Sequence, residues 1–450
     1  MRTEHDLLGT RELPDEALYG VHTARALENF QHGGLALGEV PEFCRALVAV
    51  KGAAARVNVD LGVLDRELGA AIVAACEELI AAPEVLVRQM QLPVLQGGAG
   101  TSTNMNANEV IANRALLILG RDPGDYGHLH PNDHVNRSQS TNDVYPTALQ
   151  VALVLRDRWV EESLDRLAAS LGEVAERHEE VVKLGRTQLR DAVPMTVDDE
   201  FTAWADGCRR SVVELESVAA GDLRRLHLGG TAIGTGLNAP EGYAERAVRY
   251  LGEALAIDFG LAPRPVSATT DPTALLAYSA ALRSSALRLG KLSNDLRLLS
   301  SGPRAGLAEL LLPPVQAGSS MMPGKVNPVI PEYANQLCFR IRGLDETVTL
   351  ALDAAQLQLS PMVPAAADAL FESQGLLRVA CDALSTRCVP GIEIDEERLR
   401  AYAREGLGEL TSAAAVLGYE TSSGLASEAD RFGVAPVEVI RRRVEAADEP

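Results

Sequence analysis

Residues 160–174 read VEESLDRLAASLGEV and carry the pattern that decides the fold class. Apolar residues recur there at steps of four and three, which places them along one face of an α-helix. The members of this first seam are Val160, Leu164, Leu167, Leu171 and Val174. The stretch lies inside residues 147–193, which contain no proline. The pattern predicts a long helix that packs along its length against other helices.

A second seam has the same spacing over residues 282–299. Its members are Leu282, Ala286, Leu289, Leu292, Leu296 and Leu299. Asp271 and Pro272 come before it, and an aspartate N-cap followed by a proline in the first turn predicts that a helix begins there. Residues 195–239 and 332–360 also lack proline. Such seams are plain core in most proteins, but helices of this length favour a multi-helix bundle, which subunits can share.

Composition and length agree with a mostly α-helical fold of several parts. Aromatic residues make up 4% of the chain while alanine and leucine are abundant, which favours helix over sheet. At roughly 150 residues per domain, the 450 residues suggest about three structural units. We predict a mixed, mostly helical segment over 1–140, a central helical bundle over 141–392 and a small helical segment over 393–450.

The charge balance excludes several classes of partner. Lysine and arginine total 42 against 62 aspartate and glutamate residues, and the net charge of −20 argues against nucleic acid and anionic membranes. The N-terminus lacks the apolar core of a signal peptide, and no apolar run approaches the ~18 residues that span a bilayer. We therefore expect a soluble, cytoplasmic protein that binds any anionic ligand through local donors.

The cysteine and histidine residues do not indicate a metal site. His128, His130 and His134 lie close together, but loop residues surround them and their spacing matches no zinc pattern well. The cysteines are scattered and form no CxxC pair, so we expect reduced thiols packed as small apolar side chains. They are Cys44, Cys76, Cys208, Cys338, Cys381 and Cys388.

Residues 318–328 read GSSMMPGKVNP, and their glycines and prolines predict a loop. The loop carries two hydroxyl groups on Ser319 and Ser320, one cation on Lys325 and one amide on Asn327. A glycine-hinged loop with these groups suits a lid that closes over a small acid. The alternative is a plain linker with a solvated lysine.

Three further runs are rich in hydroxyl and amide side chains: Gly97–Asn106, Ser138–Asp143 and Gly185–Gln188. The glycines of the first run let backbone amides approach an anion, and the absence of a Gly-Lys-Ser/Thr ending argues against a nucleotide loop. Each run alone is typical of a polar loop or a helix cap. Together with the loop 318–328 they fit a site that removes a proton next to a carboxylate, because fixed donors stabilise the charge that develops on its oxygens.

Two further groups complete this hypothesis. Lys325 with Asn327 can hold a second carboxylate of the same ligand. A leaving group needs polar neighbours of its own. The candidates are Asn142, Thr187 and Gln188.

The loop 318–328 resembles the signature of the aspartase/fumarase superfamily, whose members eliminate a group beta to a carboxylate and release fumarate. Segments from about residue 2 to about residue 395 resemble the aspartases of that superfamily, and the match is looser beyond. These segments are Leu8–Arg11, Tyr19–Thr23, Gly97–Glu109, Pro131–Asn136, Gln139–Asp143, Gly185–Pro194, Thr231–Asn238 and Ser300–Gly306.

The resemblance implies a three-domain, mostly helical subunit whose central helices associate into a homotetrameric bundle. Each active site would then be assembled from three subunits. The implied reaction is the reversible elimination of ammonia from L-aspartate to give fumarate, by abstraction of the C3 proton through an enediolate-like intermediate. No cofactor is implied, and an activating divalent cation is left open, because the sequence shows no ligand set for one.

The resemblance also assigns roles to individual residues. Ser319 would be the general base, and Lys325 and Asn327 would bind the alpha-carboxylate. The beta-carboxylate and its enediolate form would be bound by Thr101, Ser140, Thr141 and Ser320. The amino group would face Asn142, Thr187 and Gln188. A serine is a poor base unless its alkoxide is stabilised, so loop amides and a nearby cation are expected around it.

Two positions favour an aspartase over a fumarase. Fumarases usually have Gly-Arg-Thr-His where this chain has Gly185–Gln188, and Thr-Gln-Cys-Glu where it has Val329–Glu332. Gln188 removes the titratable partner that a His–Glu relay with Glu332 would need. Gly324 is a fumarase-like residue that we take as a minor variation of the loop.

Other readings stay open at this point. One is a class II fumarase-type hydration and dehydration of fumarate and malate, and another is a non-catalytic homologue kept as a structural or binding protein. Residues Thr411–Tyr419 lack the Leu-Asn-Pro motif of many relatives. That departure leaves room for a modified amino acid or another succinate-derived compound as the substrate.

Overall fold

The computed structural model of the chain describes residues 1–31, 33–406 and 408–448. Contacts within the chain divide it into two compact units. Unit 1 consists of Met1–Glu161, Val213–Ser284 and Arg340–Leu377. Unit 2 consists of Glu162–Val212, Ser285–Phe339 and Arg378–Pro450. The division into segments 1–140, 141–392 and 393–450 stays a prediction.

The described residues are mostly α-helical, which confirms the predicted fold class. The helices before residue 140 are α1 (Val21–Asn29), α2 (Pro41–Asp60), α3 (Arg66–Ala81), α4 (Pro83–Gln89) and α5 (Thr101–Ile118). The next are α6 (Thr141–Arg177), α7 (Val197–Ala220), α8 (Tyr243–Leu255), α9 (Pro265–Ala268), α10 (Thr273–Leu299), α11 (Val329–Asp353) and α12 (Val363–Arg387). The last are α13 (Glu396–Glu405), α14 (Gly408–Leu417), α15 (Tyr419–Phe432) and α16 (Pro436–Asp448).

The strands are short and pair two by two. They are β1 (Arg2–Asp6), β2 (Gly9–Leu13), β3 (Val182–Thr187), β4 (Arg190–Thr196), β5 (Arg225–Leu226), β6 (Gly260–Leu261), β7 (Leu310–Leu311) and β8 (Glu393–Ile394). β1 with β2, β3 with β4, and β7 with β8 are antiparallel, and β5 with β6 is parallel. In the β3–β4 hairpin, Thr187 lies opposite Arg190, so residues 188 and 189 form the turn.

Both apolar seams lie in long helices, and every side chain of each seam is buried. The first seam belongs to α6 and the second to α10. The predicted start of α10 is also confirmed. A carboxylate oxygen of Asp271 accepts the backbone N–H of Thr273 at 2.9 Å, and the carbonyl of Pro272 accepts that of Leu276 at 2.9 Å. The spacing of apolar residues therefore located two of the long helices.

Buried polar contacts join the long helices inside unit 1. The hydroxyl of Tyr278 on α10 donates to Asp157 on α6 at 2.5 Å and accepts from the amide of Gln374 on α12 at 2.7 Å. The hydroxyl of Ser279 donates to Asp345 on α11 at 2.7 Å. These contacts fix the rotation of the helices about their axes, because a buried polar group without its partner costs free energy.

Unit 2 contains its own contacts between the long helices. Arg166 on α6 pairs with Asp382 on α12 at 2.8 Å. The amide of Asn335 on α11 donates to that of Asn294 on α10 at 2.9 Å. None of the helices in the described part of the chain combines the length and the hydrophobicity that a bilayer-spanning helix needs.

Replacing Asp157 with asparagine tests the buried carboxyl of α6. Burial raises the pKa of Asp157 from 3.8 to about 8, and the hydroxyl of Tyr278 opposes that rise. The folded state therefore keeps a proton that the unfolded state releases, so the stability of the wild type falls as the pH rises from 3.8 toward about 8. Asparagine accepts the same hydrogen bond without a charge. The free energy of unfolding of the variant should therefore rise relative to that of the wild type between pH 5 and 8, by up to about 1.4 kcal/mol per pH unit.

The measurement is the thermal midpoint of both proteins at several pH values and one protein concentration. The matched control is Asp60→Asn, because Asp60 accepts a hydrogen bond from the hydroxyl of Tyr250 at 2.6 Å on the exposed surface. That control should shift the midpoint by a small amount that does not grow with pH in this way. A difference between wild type and Asp157→Asn that stays constant from pH 5 to 8 would contradict the assignment.

Candidate active site

Predicted site residues meet at the N-termini of two helices in unit 1. They are Thr101 of α5, Ser140 just before α6, and Thr141 and Asn142 of α6, and we call them the helix-terminus cluster. Gly100 precedes α5 with a φ of +88°, and a Cβ atom built on it would lie 2.1 Å from the ring of Tyr145 on α6. Glycine is therefore required here for the two helix termini to approach each other.

Ser140 and Asp143 form a capping box at the start of α6. The hydroxyl oxygen of Ser140 accepts the backbone N–H of Asn142 at 3.2 Å, and the carboxylate of Asp143 accepts the backbone N–H of Ser140 at 2.9 Å. Because the Ser140 oxygen accepts from the protein, its own proton can be donated to a ligand. The motif Ser138–Asp143 thus supplies a helix cap and a donor at the same position.

Thr141 is held by a chain of amides that ends at a buried lysine. The side-chain amide of Asn104 donates to the hydroxyl of Thr141 and to the side-chain oxygen Oδ1 of Asn136, both at 3.2 Å. The side-chain nitrogen of Lys51 donates to the same Oδ1 of Asn136 at 2.8 Å. Thr141 therefore also accepts from the protein and can donate its proton outward.

Lys51 is a residue that the sequence reasoning missed. It is 0% exposed on α2, and burial lowers its pKa to about 7, a shift that the charge of Asp143 opposes. The available signal was a single charge in the apolar run of residues 46–55, ALVAVKGAAA. A lysine in such a run is expected to have a buried partner.

The carboxylate of Asp143 connects α6 to the loop that follows β5. Its second oxygen accepts the backbone N–H groups of Gly229 at 2.9 Å and Thr231 at 3.0 Å. Burial raises the pKa of Asp143, and the backbone donors of Ser140, Thr231 and Gly229 oppose that rise. The sequence placed Asp143 in a polar run but gave it no role, because its partners lie 86 and 88 residues further along the chain.

Asn142 contacts the same loop through its side chain and its backbone. Its amide nitrogen donates to the carbonyl of Ala232 at 2.8 Å. The imidazole Nε2 of His227 lies 3.1 Å from the backbone carbonyl of Asn142. Burial lowers the pKa of His227, and the contact with that carbonyl opposes the shift. We call residues 227–232 the clamp loop.

Glu109 is a second residue that sequence reasoning left without a role. Its buried carboxylate caps α1 by accepting the backbone N–H groups of Gly20 at 2.9 Å, His22 at 2.8 Å and Thr23 at 3.1 Å. The hydroxyl of Thr23 adds a fourth bond at 2.6 Å. Burial raises the pKa of Glu109 to about 7, and these donors oppose the rise. Glu109 lies on α5, so it ties the motif Tyr19–Thr23 to the helix that begins at Thr101.

In unit 2, the predicted loop is confirmed as a segment without helix or strand over residues 312–328, which we call the serine loop. The oxygen of Ser319 accepts the backbone N–H groups of Met321 at 3.2 Å and Met322 at 3.0 Å. The amide of Asn327 donates to the carbonyl of Gly318 at 2.8 Å and so closes the loop at its base. Ser320 and Lys325 are exposed. Two N–H groups on one hydroxyl oxygen favour its ionised form.

Gly318 is required by the closure of the serine loop. A Cβ atom built on it would lie 2.1 Å from the backbone oxygen of Lys325. Backbone cannot move aside as a flexible side chain can, so any larger residue would push apart the two ends of the loop.

Thr187 and Gln188 lie at the turn of the β3–β4 hairpin, also in unit 2. Gln188 and Leu189 have φ angles of +54° and +58°. The neighbouring Arg186 pairs with the buried carboxylate of Glu309 and lies over the ring of Tyr402, 5.4 Å from its centroid. This contact anchors the turn that presents Thr187 and Gln188.

Glu309 has a second cation beside it. The ammonium group of Lys183 lies 3.0 Å from Glu309 and 2.5 Å from Glu200, and the side chain of Glu309 is 0% exposed. Burial raises the pKa of Glu200, and the charge of Lys183 opposes that rise. No sequence pattern predicts this network, because Arg186 and Glu309 are 123 residues apart.

The histidines near residue 130 bond to the backbone, and the cysteines are buried. Within the described residues, no group of three or more histidine, cysteine, aspartate or glutamate side chains is placed to hold a metal ion. His130 instead accepts the backbone N–H of Asn132 at 3.1 Å, and His134 accepts that of His130 at 2.8 Å. All of the cysteines are buried and none is in a disulfide.

The chain matches known proteins over almost its whole length. A family model described as lyase matches residues 9–343. The aspartate ammonia-lyase of Pseudomonas aeruginosa is 45% identical over 440 residues, which cover 98% of this chain and 92% of that protein. A solved structure from Brucella melitensis, described as fumarate lyase:delta crystallin bound to cobalt, has a TM-score of 0.94 at 48% identity and covers 98% of this chain and 95% of its own.

A second solved structure, the class II fumarase from Schistosoma mansoni, has a TM-score of 0.92 at 33% identity and covers 98% of this chain and 95% of its own. The two structures confirm the mostly helical, aspartase/fumarase-like fold that was expected from the resemblance, while the three domains and the tetramer stay predictions. The roles of the individual site residues stay predictions.

Replacing Glu309 with glutamine tests the anchor of the hairpin turn. The variant keeps the size of the side chain but leaves Arg186 without its buried counter-charge and Lys183 with Glu200 alone, and breaking such a buried pair costs about 3–5 kcal/mol. We expect a thermal midpoint several degrees below that of the wild type. The control is Asp206→Asn, which breaks an exposed pair with Arg209 and should cost less than about 1 kcal/mol. Equal losses in the two variants would refute the anchor.

Proposed function

The chain belongs to the lyase family whose model it matches, and on that premise we propose that it eliminates ammonia from L-aspartate and releases fumarate. One observation carries the proposal. Ser140, Thr141 and Ser319 each accept hydrogen bonds from the protein on the side-chain oxygen. That arrangement leaves hydroxyl protons for a carboxylate and, at Ser319, favours an oxygen able to accept a proton.

Ser319 is the general base that abstracts the proton in this proposal. Its alkoxide takes the proton from C3 of the substrate, and the electron pair of that C–H bond passes into the carboxylate to form the enediolate. The backbone N–H groups of Met321 and Met322 stabilise the alkoxide. The double bond then forms between C2 and C3 while the C2–N bond breaks, and its electron pair leaves with ammonia.

The carboxylate next to C3 gains charge in this step, and the helix-terminus cluster is suited to bind it. Ser140 and Thr141 keep their hydroxyl protons for a ligand at a helix N-terminus, where partial positive charge accumulates. The hydroxyl of Thr101 donates to the carbonyl of Gly98 at 2.8 Å and would have to turn from it to bind the same carboxylate. The buried ammonium group of Lys51 lies behind Thr141 in the chain of amides. Ser320 is a further proposed donor from the serine loop.

The other carboxylate and the amino group are assigned to the remaining residues. Lys325 is exposed and can reach a carboxylate, and the amide of Asn327 keeps a second N–H for the same group. The proposed neighbours of the amino group are Asn142, Thr187 and Gln188. These steps use only side chains and backbone N–H groups of the protein.

The protein is proposed to act as a homotetramer with sites shared between subunits. Several long helices expose large apolar side chains in the single chain, which is typical of surfaces that a partner covers. Examples are Val213 at 64%, Phe339 at 60% and Leu350 at 61% exposure. Association through such helices would place residues of several subunits around each site.

Gln188 supports an aspartase over a fumarase. Loss of hydroxide from malate needs a proton donor at the leaving oxygen, whereas a protonated amino group leaves as ammonia without a further proton. A neutral amide at residue 188 can hold the amino group but cannot supply a proton by titration.

The experiment is the ultraviolet absorbance of fumarate formed from L-aspartate, with L-malate in parallel. Absorbance with aspartate alone is expected, and absorbance with malate alone would overturn the proposal.

Ser319→Ala tests the base in the same assay. We expect turnover of aspartate to fall by at least about 100-fold, because a positioned base contributes that much or more. The oligomer and the binding of succinate, a dicarboxylate without a leaving group, should be retained. The control is Ser423→Ala on the exposed face of α15, which should keep full activity. Undiminished turnover in Ser319→Ala would remove Ser319 from the role of base.

A further inference from the structure

We propose that Asp143 is a positioning residue that, through the clamp loop, turns the carbonyl oxygen of Asn142 toward the amino group of the substrate. The preference for an amine over a hydroxyl leaving group would then depend on a carboxylate that does not touch the substrate. This inference rests on the proposed function and adds to it the source of its selectivity.

The orientation of the Asn142 amide follows from its partner. The amide nitrogen lies 2.8 Å from the backbone oxygen of Ala232, and a carbonyl oxygen can only accept a hydrogen bond. The nitrogen therefore faces the clamp loop, and the planar amide directs Oδ1 away from it. An ammonium group can only donate, so Oδ1 is the atom of Asn142 that suits it.

The position of the Ala232 carbonyl is set by Asp143. The backbone N–H groups of Gly229 and Thr231 both donate to one carboxylate oxygen, and Thr231 directly precedes Ala232. His227 at the start of the loop contacts the backbone carbonyl of Asn142. The clamp loop is thus bonded to both Asp143 and the backbone of Asn142, and it in turn orients the side chain of Asn142. Asp143 is fully buried, so water does not compete for these bonds.

The fixed orientation of the Asn142 amide favours one of the two possible leaving groups, ammonia, over the other, hydroxide. When the C2–N bond breaks, its electron pair neutralises the departing ammonium group, so an acceptor such as Oδ1 is the only partner it needs. A leaving hydroxide needs a group that gives up a proton. The amide nitrogen of Asn142 keeps one N–H beside its bond to Ala232, but an amide N–H does not titrate and cannot protonate the leaving oxygen. A site with Asn142 held in this way favours elimination of ammonia.

Two variants displace the clamp loop by different means. Asp143→Asn removes the charge that holds the loop, and Gly229→Ala moves the loop by contact, because the new Cβ would lie 2.7 Å from the Cβ of Ala244 at a φ of +92°. The control is Gly242→Ala, which has a similar φ of +74° but whose Cβ would meet no atom closer than 3.9 Å. All three are measured in the reverse direction, as addition of ammonia to fumarate.

We expect both loop variants to raise the KM for ammonia by about tenfold while the KM for fumarate changes by less than about twofold, which corresponds to the loss of one orienting hydrogen bond. Gly242→Ala should leave both constants unchanged. A purely structural role of Asp143 as the cap of α6 would instead raise both constants together or lower only the folded fraction. If Asp143→Asn does not fold, Gly229→Ala alone decides between these outcomes.

A double-mutant cycle with Asn142→Ala shows whether the effect passes through Asn142. In the Asn142→Ala background, Gly229→Ala should add almost nothing to the KM for ammonia. Effects that multiply in the double variant would overturn the positioning role. A wild type that does not add ammonia to fumarate would overturn the proposed function itself. An active wild type whose loop variants change the KM for ammonia no more than the KM for fumarate would overturn only this inference.

Discussion

The buried carboxylate of Asp143 is the constraint on which the geometry of the helix-terminus cluster depends. Its three backbone partners, Ser140, Gly229 and Thr231, belong to segments that are far apart in the sequence, and one side chain fixes their separation. The start of α6 is thereby rigid, and Thr141 and Asn142 take their positions from it. A carboxylate that accepts three N–H groups holds such a junction more firmly than a neutral side chain would.

Hydroxyl oxygens that accept hydrogen bonds from the protein occur in both units. At Ser319, as at Ser140 and Thr141, protein N–H groups bond to the hydroxyl oxygen. A chain with a net charge of −20 offers an anion no general attraction, so binding depends on such local donors and on cations at short range. Lys325 is an exposed cation of that kind. Lys51 adds a buried positive charge in its protonated form, because burial lowers its pKa to about 7.

The sequence predicted those parts of the protein that leave a local or periodic signal. The seams of α6 and α10, the cap at Asp271 and the serine loop all follow from neighbours within a few turns or residues. The hydrogen bonds of Asp143 and the ion pair between Arg186 and Glu309 join segments that are distant in the sequence. No residue spacing within a single segment therefore predicts them. Lys51 lies between these cases, because a lone charge in an apolar run indicates a buried partner without naming it.

In the proposed reaction, hydroxyl donors of the helix-terminus cluster bind the carboxylate next to the carbon that Ser319 deprotonates. A crystal structure of the assembled protein with succinate would show whether they do. We expect one carboxylate within about 3.2 Å of the hydroxyl oxygens of Thr101, Ser140 and Thr141. We also expect Ser319 of another subunit to lie next to the adjacent methylene carbon. Succinate bound away from the helix-terminus cluster, or with Ser319 remote from both methylene carbons, would refute this binding mode.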